Sequence, residues 1–371
     1  MIRVPYVDLP AQAASLRERL LAAVETVLEH GQFILGPEVV KLEERLAASL
    51  GAHAVVGVNS GTDALAMALR LRGVGPGDEV ITVSHSFVAT ATAVRLVGAT
   101  PVFVDVDPET MQIDPGLLAA ARTPRTRAVL PVHLNGFPCP IEEVATFCEE
   151  NELVLIEDCA QAFGARRRRR AVGTFGVGCF SLHPLKVLSA CGDAGFLAVG
   201  SEEDAEQLRR MRNIGLRDRD HCEIVSGNSR LDTLQAAILL VKLEELPRWL
   251  AVRRQHAAAY RGALAGRVRL PPEEGEDEVV YSAFVVRHPQ RDRLLGALAE
   301  AGVAAKIHYP IPIHRQQAFA DLPLRFPLPV TERVVAEMMS LPVTPEMSSE
   351  QREIVVEALL AALDRVEAGG D

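Results

Sequence analysis

Apolar positions recur every three or four residues over 11–30 and again over 37–50. Leu16, Leu20 and Val24 share one face of the first stretch, and Val39, Leu42, Leu46 and Leu50 one face of the second. That period predicts two amphipathic helices, separated by Gly31, Gly36 and Pro37. From residue 53 the pattern changes to short apolar runs that alternate with stretches of helical period. Strands are expected at 53–58, 79–83, 101–104, 128–132 and 153–156, and helices at 64–71, 88–97, 114–121 and 141–150. Further strands are expected at 179–182 and 194–199, before a helix at 202–211. Such alternation predicts an α/β fold, a mostly parallel sheet flanked by helices. Ligands in folds of this kind sit beyond the C-terminal strand ends.

The last third reads differently. A polar excursion covers 214–230, and a long helical pattern follows a candidate capping box from Ser229 to Asp232. It carries Leu234, Ile238, Val241 and Leu246, and Pro247 is expected to kink or break it. The division between domains is therefore placed there, with a large domain at 1–247 and a smaller C-terminal α+β domain at 248–371. The smaller one is expected to hold a strand at 282–287, a helix at 292–301 and a final helix from about residue 349, with PPEEGEDE at 271–278 as a surface loop.

Composition narrows the classes. With 48% hydrophobic and 24% charged residues the chain belongs with globular proteins rather than disordered ones. A formal net charge of −10 argues against a nucleic-acid partner, which would need a basic surface. No apolar run reaches membrane-spanning length, and the first residues carry no signal-peptide core. Six cysteines without a Cys-x-x-Cys pair read as free thiols of a cytoplasmic protein, and no metal site is expected.

Candidate chemistry gathers at the expected strand ends. The run at 153–156 delivers Glu157 and Asp158, and Lys186 follows the strand at 179–182, just past Pro184. An acid at one strand end and a lysine after a neighbouring strand suit pyridoxal phosphate. The carboxylate keeps the pyridine nitrogen protonated and the amine forms a Schiff base. The turn Asn59-Ser60-Gly61-Thr62-Asp63 leads from strand to helix. It reads either as a phosphate site at a helix N-terminus or as an ordinary capped turn. Gly73–Gly77 looks like a glycine-rich nucleotide loop but ends a helix and precedes a strand, the reverse of the order that motif requires. Five consecutive arginines at 166–170 are either an exposed hairpin turn or contacts for a diphosphate.

In joint order, NSGTDAL (59–65), GPGDEVI (75–81), GATPVFVDVDP (98–108), PVHLNG (131–136), EDCAQAFGA (157–165), HPLK (183–186), GDAG (192–195), NSRLD (228–232) and HYPIPIH (308–314) resemble the DegT/StrS-type nucleotide-sugar aminotransferases, fold-type I pyridoxal phosphate enzymes. The resemblance implies that Lys186 links to the cofactor and shuttles protons. It also implies that Asp158 holds the pyridine nitrogen and Gln161 the ring hydroxyl side. Gly61, Thr62 and Ser181 would take the phosphate, and Phe87 would stack on the ring, although a plain core role reads nearly as well for Phe87. Asn228 would reach the phosphate of a neighbouring subunit, which implies a homodimer with shared sites. His308, Tyr309 and His314 would face the sugar nucleotide. The two histidines are not read as metal ligands, for no acid or thiol lies near them in sequence.

The activity implied is transfer of an amino group from L-glutamate to a keto-sugar, nucleotide-linked, through pyridoxamine phosphate, in amino-sugar biosynthesis. Gly192-Asp193-Ala194-Gly195 leans to 3-keto over 4-keto acceptors. His183 and Cys191 depart from the family pattern beside Lys186. Two alternatives stand beside this reading. One is a sugar dehydratase of the same fold, which has lost its lysine. The other is a non-catalytic regulatory protein on the same scaffold.

Overall fold

The computed structural model describes residues 2–368 of the 371. The strands are β1 (Ala54–Val58), β2 (Glu79–Val83), β3 (Thr100–Val104), β4 (Thr126–Leu130), β5 (Val154–Asp158), β6 (Arg166–Arg167), β7 (Arg170–Ala171), β8 (Val177–Ser181), β9 (Gly195–Val199), β10 (Phe284–Arg287) and β11 (Met338–Leu341). The α-helices are α1 (Leu9–His30), α2 (Pro37–Leu50), α3 (Gly61–Leu71), α4 (Ala89–Leu96), α5 (Leu118–Ala121), α6 (Ile141–Glu150), α7 (Glu202–Arg212), α8 (Thr233–Leu264), α9 (Arg291–Glu300), α10 (Pro329–Glu337) and α11 (Ser349–Ala368).

Seven strands form one sheet in the order β1-β9-β8-β5-β4-β2-β3. Every pairing from β8 through β5, β4 and β2 to β3 is parallel, and β9 lies antiparallel to both β8 and β1. Two reversals restore the direction, so β1 points the same way as β8. β1, β2 and β9 are buried along their whole length. That explains why β1 and β9 read as unbroken apolar runs rather than alternating ones. One apolar core packs α3 and α7 against the sheet through Leu65, Leu69 and Leu208. Another packs α2 and the first half of α8 against its other side through Leu42, Leu46 and Leu239.

A two-stranded antiparallel sheet, β10 with β11, carries a separate core with Tyr260, Leu264, Leu294, Leu298, Leu359 and Leu363. Val4, near the N-terminus, joins this core and bridges to Val303. The helix does not end at Pro247: α8 runs for 32 residues with the proline inside. The missing amide removes one helical bond. Leu246 and Leu250 are held in the main core and Tyr260 and Leu264 in the smaller one, so packing on both sides keeps the helix continuous. The division at residue 247 thus falls inside an element that both cores share.

Two smaller expectations also change. The stretch at 114–121 is a 3₁₀ turn, Pro115–Leu117, then the single turn of α5. The second capping box does not form, because Asp232 caps α8 without a side-chain bond and Ser229 Oγ donates to Asp63 instead. The arginine run makes the hairpin of β6 and β7, with Arg168 and Arg169 at positive φ in its turn. It lies against the acidic loop: Arg167 Nη1 is 2.7 Å from Asp277 Oδ2, and Arg168 faces Glu142 at 3.3 Å and Glu276 at 3.7 Å.

Consecutive residues of a strand point to opposite faces, so Glu157 and Asp158 part company at the end of β5. Glu157 is wholly buried and accepts the amides of Gly173, Phe175 and Gly176, each at 2.8 Å, with His133 Nε2 at 3.2 Å. It shapes the loop that leads into β8, which carries Ser181. Glu157→Ala leaves three amides, that of Gly173 fully buried, without an acceptor. Urea unfolding should show a loss of about 3 kcal/mol or more; a loss under about 1 kcal/mol would mean that the loop holds itself.

Candidate active site

Because β1, β2, β5 and β8 run the same way, their C-terminal ends share one edge of the sheet, and a cavity of about 610 Å³ opens there. Gly61, Thr62, Phe87, Asp158, Gln161, Ser181, Lys186, His308 and Tyr309 all line it. Residues separated by almost 250 positions in the chain thus meet in one space.

Each arrives for a local reason. Ser60 Oγ accepts the Asp63 amide at 3.1 Å and starts α3, leaving the first amides of that helix without helical partners. The other half of the expected capping box is absent, since the Asp63 carboxylate is taken by Ser229. At Gly61 a side chain has no room: a Cβ there would stand 2.7 Å from Ser181 Cβ. Gly195 repeats the device from β9, where a Cβ would lie 2.5 Å from the Ser60 carbonyl carbon. These two glycines let the helix start and the strands close up, so that the Gly61 and Thr62 amides and Ser181 Oγ form one small polar cradle.

Asp158 is buried at the cavity floor. Thr90 Oγ1 donates to its Oδ2 at 2.8 Å and the Ala160 amide to its Oδ1 at 3.1 Å. Burial pushes its carboxyl above the ordinary range, against the pull of those two bonds and of Lys186 and His133. A carboxylate so placed gains from a cation brought beside it. Lys186 is set by a turn in which its amide donates to the His183 carbonyl at 2.8 Å. Its amine makes no hydrogen bond or ion pair among the described residues, and burial lowers its pKa while Asp158 opposes that shift.

Gln161 links two walls: its Oε1 accepts the Asn135 amide at 2.8 Å and its Nε2 donates to the Tyr309 hydroxyl at 3.3 Å. The rings of Phe87 and Tyr309 lie 5.4 Å apart at the rim, and Phe87 is half exposed to the cavity rather than packed as a core aromatic. His308 Nδ1 is 3.0 Å from Ser340 Oγ, and burial with the nearby Lys186 and Lys306 pushes the ring down to about 4, so it is neutral at physiological pH.

Two expected residues stand elsewhere. Asn228 is exposed on the polar excursion and does not line the cavity of its own chain. His314 is turned to the end of β2, with Nδ1 2.7 Å from Ser84 Oγ and Nε2 3.3 Å from Glu332. It fastens the 308–314 segment instead of facing the cavity. None of the arginines at 166–170 lines the cavity either.

The structure adds Thr90, Tyr6 and Arg253 to the walls. Arg253 had a sequence signal, a charge on the apolar stripe that runs through Leu246, Leu250, Ala257 and Tyr260 of α8. Thr90 and Tyr6 had none, for their place depends on how α4 and the N-terminal segment pack. His133, Glu157 and Cys159 also bring metal-ligand types within 4.8 Å of one another. Glu157 is spent on its four donors, the imidazole Nδ1 accepts the Cys139 amide at 3.0 Å, and burial raises the Cys159 thiol to about 12. Hydrogen bonding accounts for this trio.

The donor set fits pyridoxal phosphate. A cradle of free amides and a hydroxyl suits the phosphate, a buried carboxylate suits the pyridine N–H, and an unpaired amine with lowered basicity suits the aldehyde.

The sequence model of the DegT/DnrJ/EryC1/StrS aminotransferase family matches residues 14–360. A pleiotropic regulatory protein of Geobacillus stearothermophilus is 40% identical over 96% of this chain and 98% of its own. The dTDP-3-amino-3,4,6-trideoxy-alpha-D-glucose transaminase of Streptomyces venezuelae is 41% identical over 98% and 97%. The UDP-2-acetamido-2-deoxy-3-oxo-D-glucuronate aminotransferase of Pseudomonas aeruginosa is 41% identical over 96% and 99%. Among solved structures, S. venezuelae DesV in complex with a ketimine intermediate superposes with a TM-score of 0.96 at 41% identity, covering 99% of this chain and 100% of that one. A sheet of this order, a cavity at its C-terminal edge and these relatives agree: the chain belongs to the DegT/DnrJ/EryC1/StrS aminotransferase family, whose cofactor is pyridoxal phosphate.

Proposed function

We propose that this protein moves the amino group of L-glutamate onto the keto carbon of a nucleotide-linked 3-keto sugar, in the cytoplasm, as a homodimer. The convergence of Asp158, Gln161 and Lys186 on one cavity carries the reading. The 3-position is supported by the 3-amino and 3-oxo sugars in the names of two relatives and by the Gly192–Gly195 sequence. The dimer is supported by large apolar side chains left in water, including Leu28, Phe33, Ile34, Val40, Ile214 and Val225. In it Asn228 would reach the phosphate of the neighbouring subunit. No helix among the described residues is long and apolar enough to cross a membrane.

When bound, pyridoxal phosphate supplies an aldehyde that joins to amines and a protonated ring that accepts the electron pair released at the adjacent carbon. The protein supplies the rest. Gly61, Thr62 and Ser181 would anchor the phosphate, Asp158 would keep the proton on the ring nitrogen, and Gln161 would hold the ring hydroxyl side. Phe87 would cover one ring face. With its amine free, Lys186 Nζ would take the proton from the donor's α-carbon and pass it to the cofactor carbon next to the amine nitrogen. In the second half-reaction it would return a proton to the sugar carbon that becomes the amine carbon. Neutral His308 and the Tyr309 hydroxyl would offer uncharged partners for sugar hydroxyls.

A regulatory role is suggested by the name of one relative. The complete set of catalytic side chains favours turnover over that role, and the lysine at the cavity wall disfavours the dehydratase reading. Incubation with ¹⁵N-labelled L-glutamate and a nucleotide-linked 3-keto sugar should yield a ¹⁵N-labelled amino sugar by mass spectrometry. Lys186→Ala should abolish transfer; residual transfer near the unmutated rate would remove Lys186 from this role.

The acid–base pairing has its own readout. The chain has four lysines, Lys41, Lys186, Lys242 and Lys306, so acetylation can be followed at each by peptide mass spectrometry. Only the neutral amine acylates. Burial disfavours the Lys186 ammonium, so in cofactor-free protein its labelling should reach its plateau at lower pH than that of a free lysine amine. Asp158→Asn removes the charge that favours the ammonium and should shift the Lys186 midpoint further down. An upward shift would contradict the pairing.

A further inference from the structure

Arg253 has no part in the chemistry above, yet it lies in the same cavity as Lys186. It stands on the buried stripe of α8 and is only 7% exposed. Nη1 donates to the Tyr281 carbonyl at 3.0 Å, Nε is buried without a partner, and the guanidinium makes no ion pair among the described residues. A charge in this position is costly until something of opposite sign meets it. The absence of a close counter-charge shows in its acidity, which burial brings down to about 10.

The acid nearest in effect is Glu346, which also lines the cavity. Its Oε1 accepts Gln12 Nε2 at 2.8 Å, and its field is shared with Lys242. The cavity wall therefore holds a planar donor fork with spare capacity and, close by, a carboxylate with one oxygen bonded to Gln12 and the other buried without a partner. A fork of this shape matches a carboxylate in two-point fashion. With Glu346 beside it, a singly charged anion is better received here than a doubly charged phosphate.

We propose that Arg253 receives a substrate carboxylate during transfer. The inference rests on the transaminase reading and deepens it, since it names the group by which this site selects its substrate. Two substrates could bring that carboxylate: the dicarboxylic amino donor, or an acceptor sugar that is a uronic acid.

Calorimetry on the cofactor-loaded protein separates the possibilities. The probes are glutarate, which has two carboxylates and no amine, UDP-glucuronate, and UDP-N-acetylglucosamine as the neutral sugar control. In R253Q, glutarate binding should weaken about 10- to 100-fold, R253K should lose less, and the neutral sugar nucleotide should bind as before. If UDP-glucuronate weakens by that factor and glutarate does not, the carboxylate comes from the acceptor. Unchanged binding of both carboxylates by R253Q overturns the proposal, as does failure of the unmutated protein to bind either. An equal loss for the neutral control also overturns it and leaves Arg253 a strut between α8 and Tyr281. These readings are independent of amino transfer: if the unmutated protein transfers ¹⁵N while R253Q binds both acids normally, this inference alone falls.

Discussion

A buried carboxylate and an unpaired amine, presented to one cavity from the ends of adjacent parallel strands, are the constraint on which the rest depends. β5 and β8 are hydrogen-bonded neighbours, so Asp158 closes one strand while Ser181 closes the next, five residues before Lys186. Neither charged group is comfortable alone. Burial disfavours the carboxylate form of Asp158 and the ammonium form of Lys186, and each is the other's partial remedy. A cofactor that carries a ring cation for one and an aldehyde for the other relieves both at once.

The surrounding scaffold keeps these groups apart yet facing the same space. Strand alternation sends Glu157 to the opposite face, where it ties down the loop into β8, so one acid is spent on structure and its neighbour is left for chemistry. Gly61 and Gly195 remove the side chains that would hold the α3 start away from β8 and β9. Ser84, at the end of β2, takes both the backbone amide and the ring of His314, which brings His308 and Tyr309 over the cavity from the far end of the chain.

Most of the sheet was legible because its strands are short apolar runs broken by helical periods, and β2 and α6 fall where the pattern puts them. Strand ends were legible for the same reason, and with them Asp158, Lys186 and the helix start at Gly61. Pro247 misled, since a local rule for a lone helix does not include two cores that grip it on either side. His314 misled because motif membership says nothing of side-chain direction. Thr90 and Tyr6 could not be read, as their roles exist only once α4 and the N-terminal segment have packed. Asn228 is exposed outside its own cavity, and the role proposed for it needs a second copy of the chain. The arginine run, conspicuous in sequence, is balanced by the acidic loop at 273–278 that lies against it.

The central claim is that Asp158 and Lys186 together hold pyridoxal phosphate in a form that accepts an amino group. The absorption spectrum of the purified, cofactor-loaded protein, recorded before and after L-glutamate, tests it most directly. The account predicts a visible band from the lysine-linked cofactor that collapses to the spectrum of pyridoxamine phosphate as glutamate is consumed. A protein that shows no such band after full exposure to pyridoxal phosphate would contradict it.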